Sequence, residues 1–166
     1  MLNKSSDPMQ KIRRVADYQF GRGVGEKLFP DNTVVLFSRK TRRVKQVYLE
    51  GELLATLKPT NGLFSLTPEG ATRLMKALDF SRLWVEVQED AVPFVEKGGD
   101  VFAKHVVKAD ESVRPGEEVA VIDGKNLVIA VGRAVLSGRE MKEFKRGVAV
   151  NVRSGRLEKV KKGRER

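Results

Sequence analysis

VPFVEKGGDVFAKHVV, residues 92–107, joins apolar runs across a pair of glycines. It opens apolar with Pro93, breaks at Gly98-Gly99 and resumes as alternating apolar and polar residues. Pro in a first turn suits a helix, a Gly pair ends one, and alternation marks a half-buried strand. The stretch therefore predicts a short helix or turn, a break, and an extended run VFAKHVVK over residues 101–108. Glycine also lacks a Cβ, so backbone can approach a partner closely there. Lys97 and Lys104 flank the break, and two cations beside bare amides suit a phosphate chain. The Gly pair thus has two readings, a plain turn or a phosphate-binding opening.

The neighbouring segments continue in short strands. Leu83, Val85 and Val87 alternate upstream. Downstream, the turn Arg114-Pro115-Gly116 leads into EVAVID (118–123), and Asp123-Gly124 is a hairpin signal. NLVIAVGRAVL (126–136) reads as a long strand with Gly132 at a bulge. SGREMKEF (137–144) is one short helix, and GVAVNVR (147–153) a closing strand. Many short strands with regular turns describe a small β-barrel.

The first eighty residues differ. Asp7-Pro8 is an N-cap followed by Pro at the first helical position, and Ile12, Val15, Ala16 and Phe20 share a helical face. GRGVGEKLFP is rich in glycine, but no strand precedes it and a Walker lysine with Ser or Thr is missing, so it is a helical corner. TVVLFSR (33–39), RVKQVYLE (43–50) and ELLATLK (52–58) are strands, with Leu53, Ala55 and Leu57 on one face. LFSL (63–66) adds a fourth. Thr67 then caps a helix with Ala71, Leu74, Met75 and Leu78 in helical spacing. The fold class is α+β: a small N-terminal α+β domain over 1–80, a mixed-sheet β-barrel over 81–153, and a basic tail over 154–166.

Composition bounds the function. The 166 residues carry a formal charge of +10, which calls for an anionic partner. That charge is uneven. Residues 1–80 hold 14 Lys and Arg against 8 Asp and Glu, residues 81–153 hold 12 of each, and the tail holds 6 against 2. There is no cysteine, which excludes disulfides, thiol nucleophiles and cysteine-zinc sites. No apolar run reaches the length of a membrane span, and the N-terminus has no signal-peptide core, so a cytoplasmic location is expected. His105 is the single histidine and builds neither a common zinc site nor a Ser-His-Asp arrangement; it reads as a barrel histidine beside Lys104. Glu117-Glu118 and Glu89-Asp90 read as solvated carboxylates, and Asp17 as a helix acid paired with a nearby Arg. Trp84 reads as filling a core or interface, while Phe102 beside the Gly break can stack on a base.

The Gly98-Gly99 break after a short helix, RPGEEVAV, AVGRAVLSG and the closing RGVAVNVR together resemble a PUA domain, the RNA-binding barrel named after pseudouridine synthases and archaeosine transglycosylases. RRVADYQFGRGVGEKLFP and GLFSLTPEGATRL look like the domain that precedes PUA in archaeal tRNA-guanine transglycosylase. The resemblance implies RNA contact at Lys97, Gly98, Gly99, Phe102, Ala103 and Lys104, and at Arg146, Gly147 and Val148 on the closing strand. Arg13, Arg14, Arg39, Lys40, Arg42 and Arg43 are further candidates for the phosphate backbone. The transglycosylase's catalytic barrel, with its aspartates and zinc site, has no counterpart in this sequence. The resemblance therefore implies no catalytic residue, metal or cofactor. It implies a module that grips tRNA, at the acceptor stem and 3′ end, in support of tRNA modification in an archaeal cytoplasm. The alternative is an interaction subunit that docks a catalytic tRNA-modifying protein, with RNA contact secondary. Neither reading involves a membrane.

Overall fold

Asp7 opens the first helix of the computed structural model, which describes residues 7–158. Its Oδ1 accepts hydrogen bonds from the Met9 and Gln10 amides at 3.0 and 3.4 Å, satisfying donors a helix start leaves free. Helix α1 (Pro8–Phe20) buries Ile12, Ala16 and Phe20. A short α2 (Val24–Leu28) follows, and the Gly25 amide donates to Asp17 Oδ1 at 2.7 Å. Asp17 thus ties the second helix to the first instead of pairing with an arginine. The reason is local: α2 begins at Gly23, which has no side chain to cap it.

Four antiparallel strands come next, β1 (Val34–Phe37), β2 (Val44–Leu49), β3 (Glu52–Leu57) and β4 (Phe64–Leu66), in that spatial order. Helix α3 (Pro68–Leu78) packs on β3 and β4, with Thr67 Oγ1 accepting from the Gly70 amide at 3.1 Å. Gln19 on α1 clamps the β4 edge: its Nε2 donates to Phe64 O at 2.9 Å, and the Phe64 amide donates to its Oε1 at 2.7 Å. Phe29 and Phe64 meet edge to face at 5.3 Å within this core. The phase of β3 departs from the alternation expected. Leu54 and Ala55 are buried, while Leu53 and Leu57 are half-exposed. A bulge explains it, since the consecutive residues Val47 and Tyr48 pair with Ala55 and Leu53, leaving Leu54 as the extra residue.

The described residues from Arg82 onward form a second unit, divided from the first after Ser81. Its strands are β5 (Trp84–Val87), β6 (Val101–Phe102), β7 (Val106–Ala109), β8 (Glu118–Ile122), β9 (Val128–Ala134) and β10 (Val148–Gly155). They lie in the order β6-β10-β9-β8-β5-β7, antiparallel except for the parallel pair β5 and β8. Helices α4 (Val92–Val95) and α5 (Gly138–Glu143) complete it, and α5 carries a capping box between Ser137 and Glu140. Val85, Val95, Val101, Val119, Val121, Ile129, Met141 and Val150 belong to one core. The result is a nearly closed mixed-sheet barrel, as the short strands predict.

Three details differ from expectation. VFAKHVVK is not one strand, because a 3-10 turn at Ala103–His105 separates β6 from β7. The two are opposite edges of the sheet and run in the same sense, so the turn carries the chain from one edge to the other without reversing it. The hairpin after β8 is longer than a two-residue Asp-Gly turn. Asp123 Oδ1 accepts from the Lys125 and Leu127 amides at 2.8 and 2.9 Å, and Asn126, not Gly124, takes the left-handed conformation. Finally, Ser154 and Gly155 belong to β10, paired with Val131 and Ala130. The Arg156 and Leu157 amides donate to Ile129 O and Glu96 O at 2.9 and 2.8 Å. The rest of the segment expected to be a tail, residues 159–166, lies outside the described residues.

Ending the chain at Arg153 rather than at Glu158 removes these bonds. At about 1 kcal/mol for each hydrogen bond lost, the second unit should lose about 2–4 kcal/mol. Trp84 is the single tryptophan and sits in this unit, so its fluorescence in urea reads the change.

Candidate nucleic-acid interface

The Gly98-Gly99 turn is built, not open. The Gly98 amide donates to Val95 O at 2.9 Å and the Gly99 amide to Phe94 O at 3.0 Å, which closes the end of α4. Both amides are thus committed to carbonyls within the turn. Gly98 sits at φ +105°, where side chains are strained. Gly99 is needed for space: a Cβ there would lie 2.2 Å from the Phe94 ring.

What the turn positions is Phe94. Its ring is 54% exposed and lies nearly parallel to Phe102, with centroids 6.5 Å apart and planes at 24°. Phe102 in turn meets the His105 ring edge to face at 6.3 Å. These three rings, with Asp90, Ala91 and Lys104, line a cleft of about 300 Å³. Its walls are aromatic and its rim carries one cation and one carboxylate. Flat faces beside a cation accept a nucleobase and its phosphate together.

The barrel brings the closing strand to the same place. Val148 on β10 pairs with Phe102 on β6, and the Ala103 amide donates to Gly147 O at 2.9 Å. Phe102, Ala103, Gly147 and Val148 are thus direct neighbours. Ala103 is buried and serves through its backbone. Lys97, Lys104 and Arg146 are exposed, and no carboxylate pairs with them among the described residues.

His105 lines the cleft instead of serving as an ordinary barrel residue, because the 3-10 turn carries it there. Glu118, expected on a solvated face, is 6% exposed and pairs with Arg153, whose Nη1 donates to its Oε1 at 2.9 Å. Burying that carboxylate without a partner would be costly. Trp84 is half-buried. Asp90, read from sequence as a solvated carboxylate, lines the cleft, and Phe94 was not singled out, since it follows a Pro in an apolar run and gave no signal beyond core.

In the first unit, Arg13 is occupied internally. Its Nε donates to Phe29 O and its Nη2 to Asp31, both at 2.9 Å. Arg14, Arg39, Lys40, Arg42 and Arg43 are exposed. Lys27, Arg73 and Lys76 line a separate cationic cleft of about 250 Å³, also unforeseen from sequence. Arg73 is held there by donating to Leu28 O and Lys27 O at 3.1 and 2.9 Å. Among the described residues no three His, Asp or Glu side chains gather to hold a metal ion, and no helix is long and apolar enough to cross a membrane.

Residues 84–156 match the PUA domain, and residues 10–81 match the patch-forming domain C2 of tRNA-guanine transglycosylase. The second unit is a PUA domain. A tRNA-guanine(15) transglycosylase of Thermococcus onnurineus is 46% identical over 144 residues, covering 87% of this chain and 24% of the relative. One from Methanothermobacter thermautotrophicus is 39% identical over 149 residues, covering 90% and 23%. The chain therefore spans about a quarter of the length of these relatives, their C-terminal part. Among solved structures, a hypothetical protein of the hyperthermophilic archaeon Pyrococcus horikoshii matches with a TM-score of 0.73 and 26% identity over 95% of this chain and 94% of its own. A PUA domain protein from Thermoplasma acidophilum, 22% identical, shares the fold with a TM-score of 0.64 over 95% and 93%.

The two glycines of this PUA domain should respond differently to substitution. Gly98→Val strains a positive φ and should destabilise the second unit by about 1–3 kcal/mol. Gly99→Ala meets an exposed ring that can swing away, so it should cost less while displacing Phe94. Urea unfolding gives the first quantity, and the Phe94 ring resonances in proton NMR give the second.

Proposed function

We propose that this protein binds RNA, and that its RNA is a tRNA held at the acceptor stem and 3′ end in support of tRNA modification. The observation that carries the reading is the cleft of Phe94, Phe102 and His105 with Lys104 at its rim. An unpaired terminal base can stack on these rings while its phosphate meets the lysine. Lys97 and Arg146 extend the positive edge toward the adjoining stem, and Gly147 and Val148 border the groove through the β10 pairing. Gly98, Gly99 and Ala103 act by shaping this surface.

The relatives' names support tRNA as the RNA, since they are tRNA-guanine(15) transglycosylases matched over their C-terminal part. The matched part is the C-terminal part of the relatives, which supports a non-catalytic, tRNA-gripping role for these two domains, with the chemistry supplied by a tRNA-modifying protein in the cytoplasm. The exposed cations of the first unit, Arg14, Arg39, Lys40, Arg42 and Arg43, add attraction to the phosphate backbone.

Binding of an unmodified tRNA transcript, measured across salt concentrations, tests this. Log affinity should fall linearly with log salt, and Lys104→Ala should flatten the slope by about 0.7 if it meets one single-strand phosphate. Phe102→Ala removes about 1–3 kcal/mol of stacking and should weaken binding about 5- to 150-fold. Trimming the unpaired 3′ nucleotides should reproduce that loss. A flat salt response would remove the electrostatic argument, and equal affinity for trimmed tRNA would place the grip elsewhere.

A further inference from the structure

Strand β1 is left uncovered by the core of its own unit. Its sequence is Val34-Val35-Leu36-Phe37, four apolar residues, yet Val34, Leu36 and Phe37 are 53%, 45% and 51% exposed. Only Val35 is half-buried. The strand is the outer edge of the sheet β1-β2-β3-β4, paired with β2 on one side alone. Pairing places Val34 beside Tyr48, and Tyr48 beside Leu53, so an apolar row crosses three strands on the face away from buried Val47 and Ala55. Phe37 lies beyond a register shift and projects on the other face. An edge strand that is apolar on both faces is a template for another strand.

The surroundings select the occupant. Arg39, Lys40, Arg42 and Arg43 follow β1 directly, Lys45 lies on β2, and all five are exposed with no ion pair among the described residues. We propose that β1 is the docking edge for an extended segment of a partner protein, apolar at alternate positions and carrying carboxylates where it passes the 39–43 turn. Strand addition would satisfy the free backbone groups of β1, the apolar side chains would cover Val34, Leu36 and Phe37, and the carboxylates would meet the cationic turn. A second copy of this chain fits less well, since each copy brings a net charge of +10. In an antiparallel copy the acid just before the strand, Asp31, is already paired with Arg13. Residues 1–6 and 159–166 are both net cationic in sequence, which opposes either chain end as the occupant. RNA gains little from Val and Leu side chains, which offer neither a stacking face nor a hydrogen bond. The inference shares Arg39, Lys40, Arg42 and Arg43 with the RNA reading but does not depend on it, since that reading is carried by the cleft of the second unit.

The test places a photo-crosslinking phenylalanine analogue at position 36 of the full chain in its native host and sequences what is captured. The result expected is one acidic protein segment. A synthetic peptide of that segment should bind the purified chain, lose about tenfold or more against Leu36→Ser, and lose its salt dependence against Arg39→Glu/Arg43→Glu. Leu36 is half-exposed, so Leu36→Ser should fold, and circular dichroism checks it; should it fail to fold, the charge-reversal variant decides alone. Capture of RNA only, of a second copy only, of the chain's own ends, or of nothing overturns the proposal. So does a peptide that binds the variants as well as it binds the parent.

Discussion

Closing a six-stranded sheet whose two edges are neighbours in the chain is the constraint on which the second unit depends. Strands β6 and β7 lie at opposite ends of the order β6-β10-β9-β8-β5-β7, yet only Ala103–His105 separates them. In a flat sheet those edges would be about 24 Å apart, five spacings of about 4.8 Å. The four steps from Phe102 to Val106 reach about 14 Å at full extension. The sheet must therefore curl until its edges nearly meet. The 3-10 turn is the seam, and the Gln88 amide donating to His105 O at 2.8 Å pins it to the end of β5.

The seam also explains where the cleft lies. A 3-10 turn between β6 and β7 cannot keep its side chains in the alternation of a strand, so Lys104 and His105 are carried to the cleft beside Phe102. The turn at Gly98-Gly99 then decides how near Phe94 can come. Its amides are committed to carbonyls of α4, and the missing Cβ of Gly99 leaves room for the Phe94 ring. The glycines thus serve the surface indirectly. They set an aromatic wall and offer no bare amides of their own.

Much of this was legible from the sequence because local signals agreed with the global fold. Asp7, Thr67 and Ser137 each cap the helix they announce. The short strands of the barrel fall where alternation and turn residues place them. Legibility ended where a long-range pairing overrode a local period. VFAKHVVK reads locally as one extended run, yet the turn at the barrel seam breaks it. Leu53-Leu54-Ala55 carries no mark of its bulge, which depends on how β2 pairs. Glu118 sits beside a turn like any solvated acid, and only the folded barrel brings Arg153 to it. Phe94 shows the same limit for the cleft: an aromatic in an apolar run reads as core until the neighbouring turn pushes it outward.

The distribution of charge assigns different work to different parts of the chain. In the barrel, Arg153 pairs with Glu118, Arg156 with Glu96 at 3.1 Å, and Lys142 with Glu111 at 3.5 Å. Pairing removes those cations from long-range attraction, while Lys97, Lys104 and Arg146 are among the exposed cations that no carboxylate pairs among the described residues. The first unit has the opposite balance, with a surplus of exposed Lys and Arg. A cationic surplus attracts any polyanion over roughly a Debye length, about 8 Å in physiological salt, and does so without regard to sequence. A neutral barrel with an aromatic cleft contributes little at that range; on the proposed reading it would discriminate at contact, where stacking needs an unpaired base. The same surplus has a second consequence at β1, where like charge keeps apolar edges of two copies apart while leaving that edge open to an acidic strand. Solubility of an uncovered apolar strand and selection of its occupant then follow from one cluster of cations.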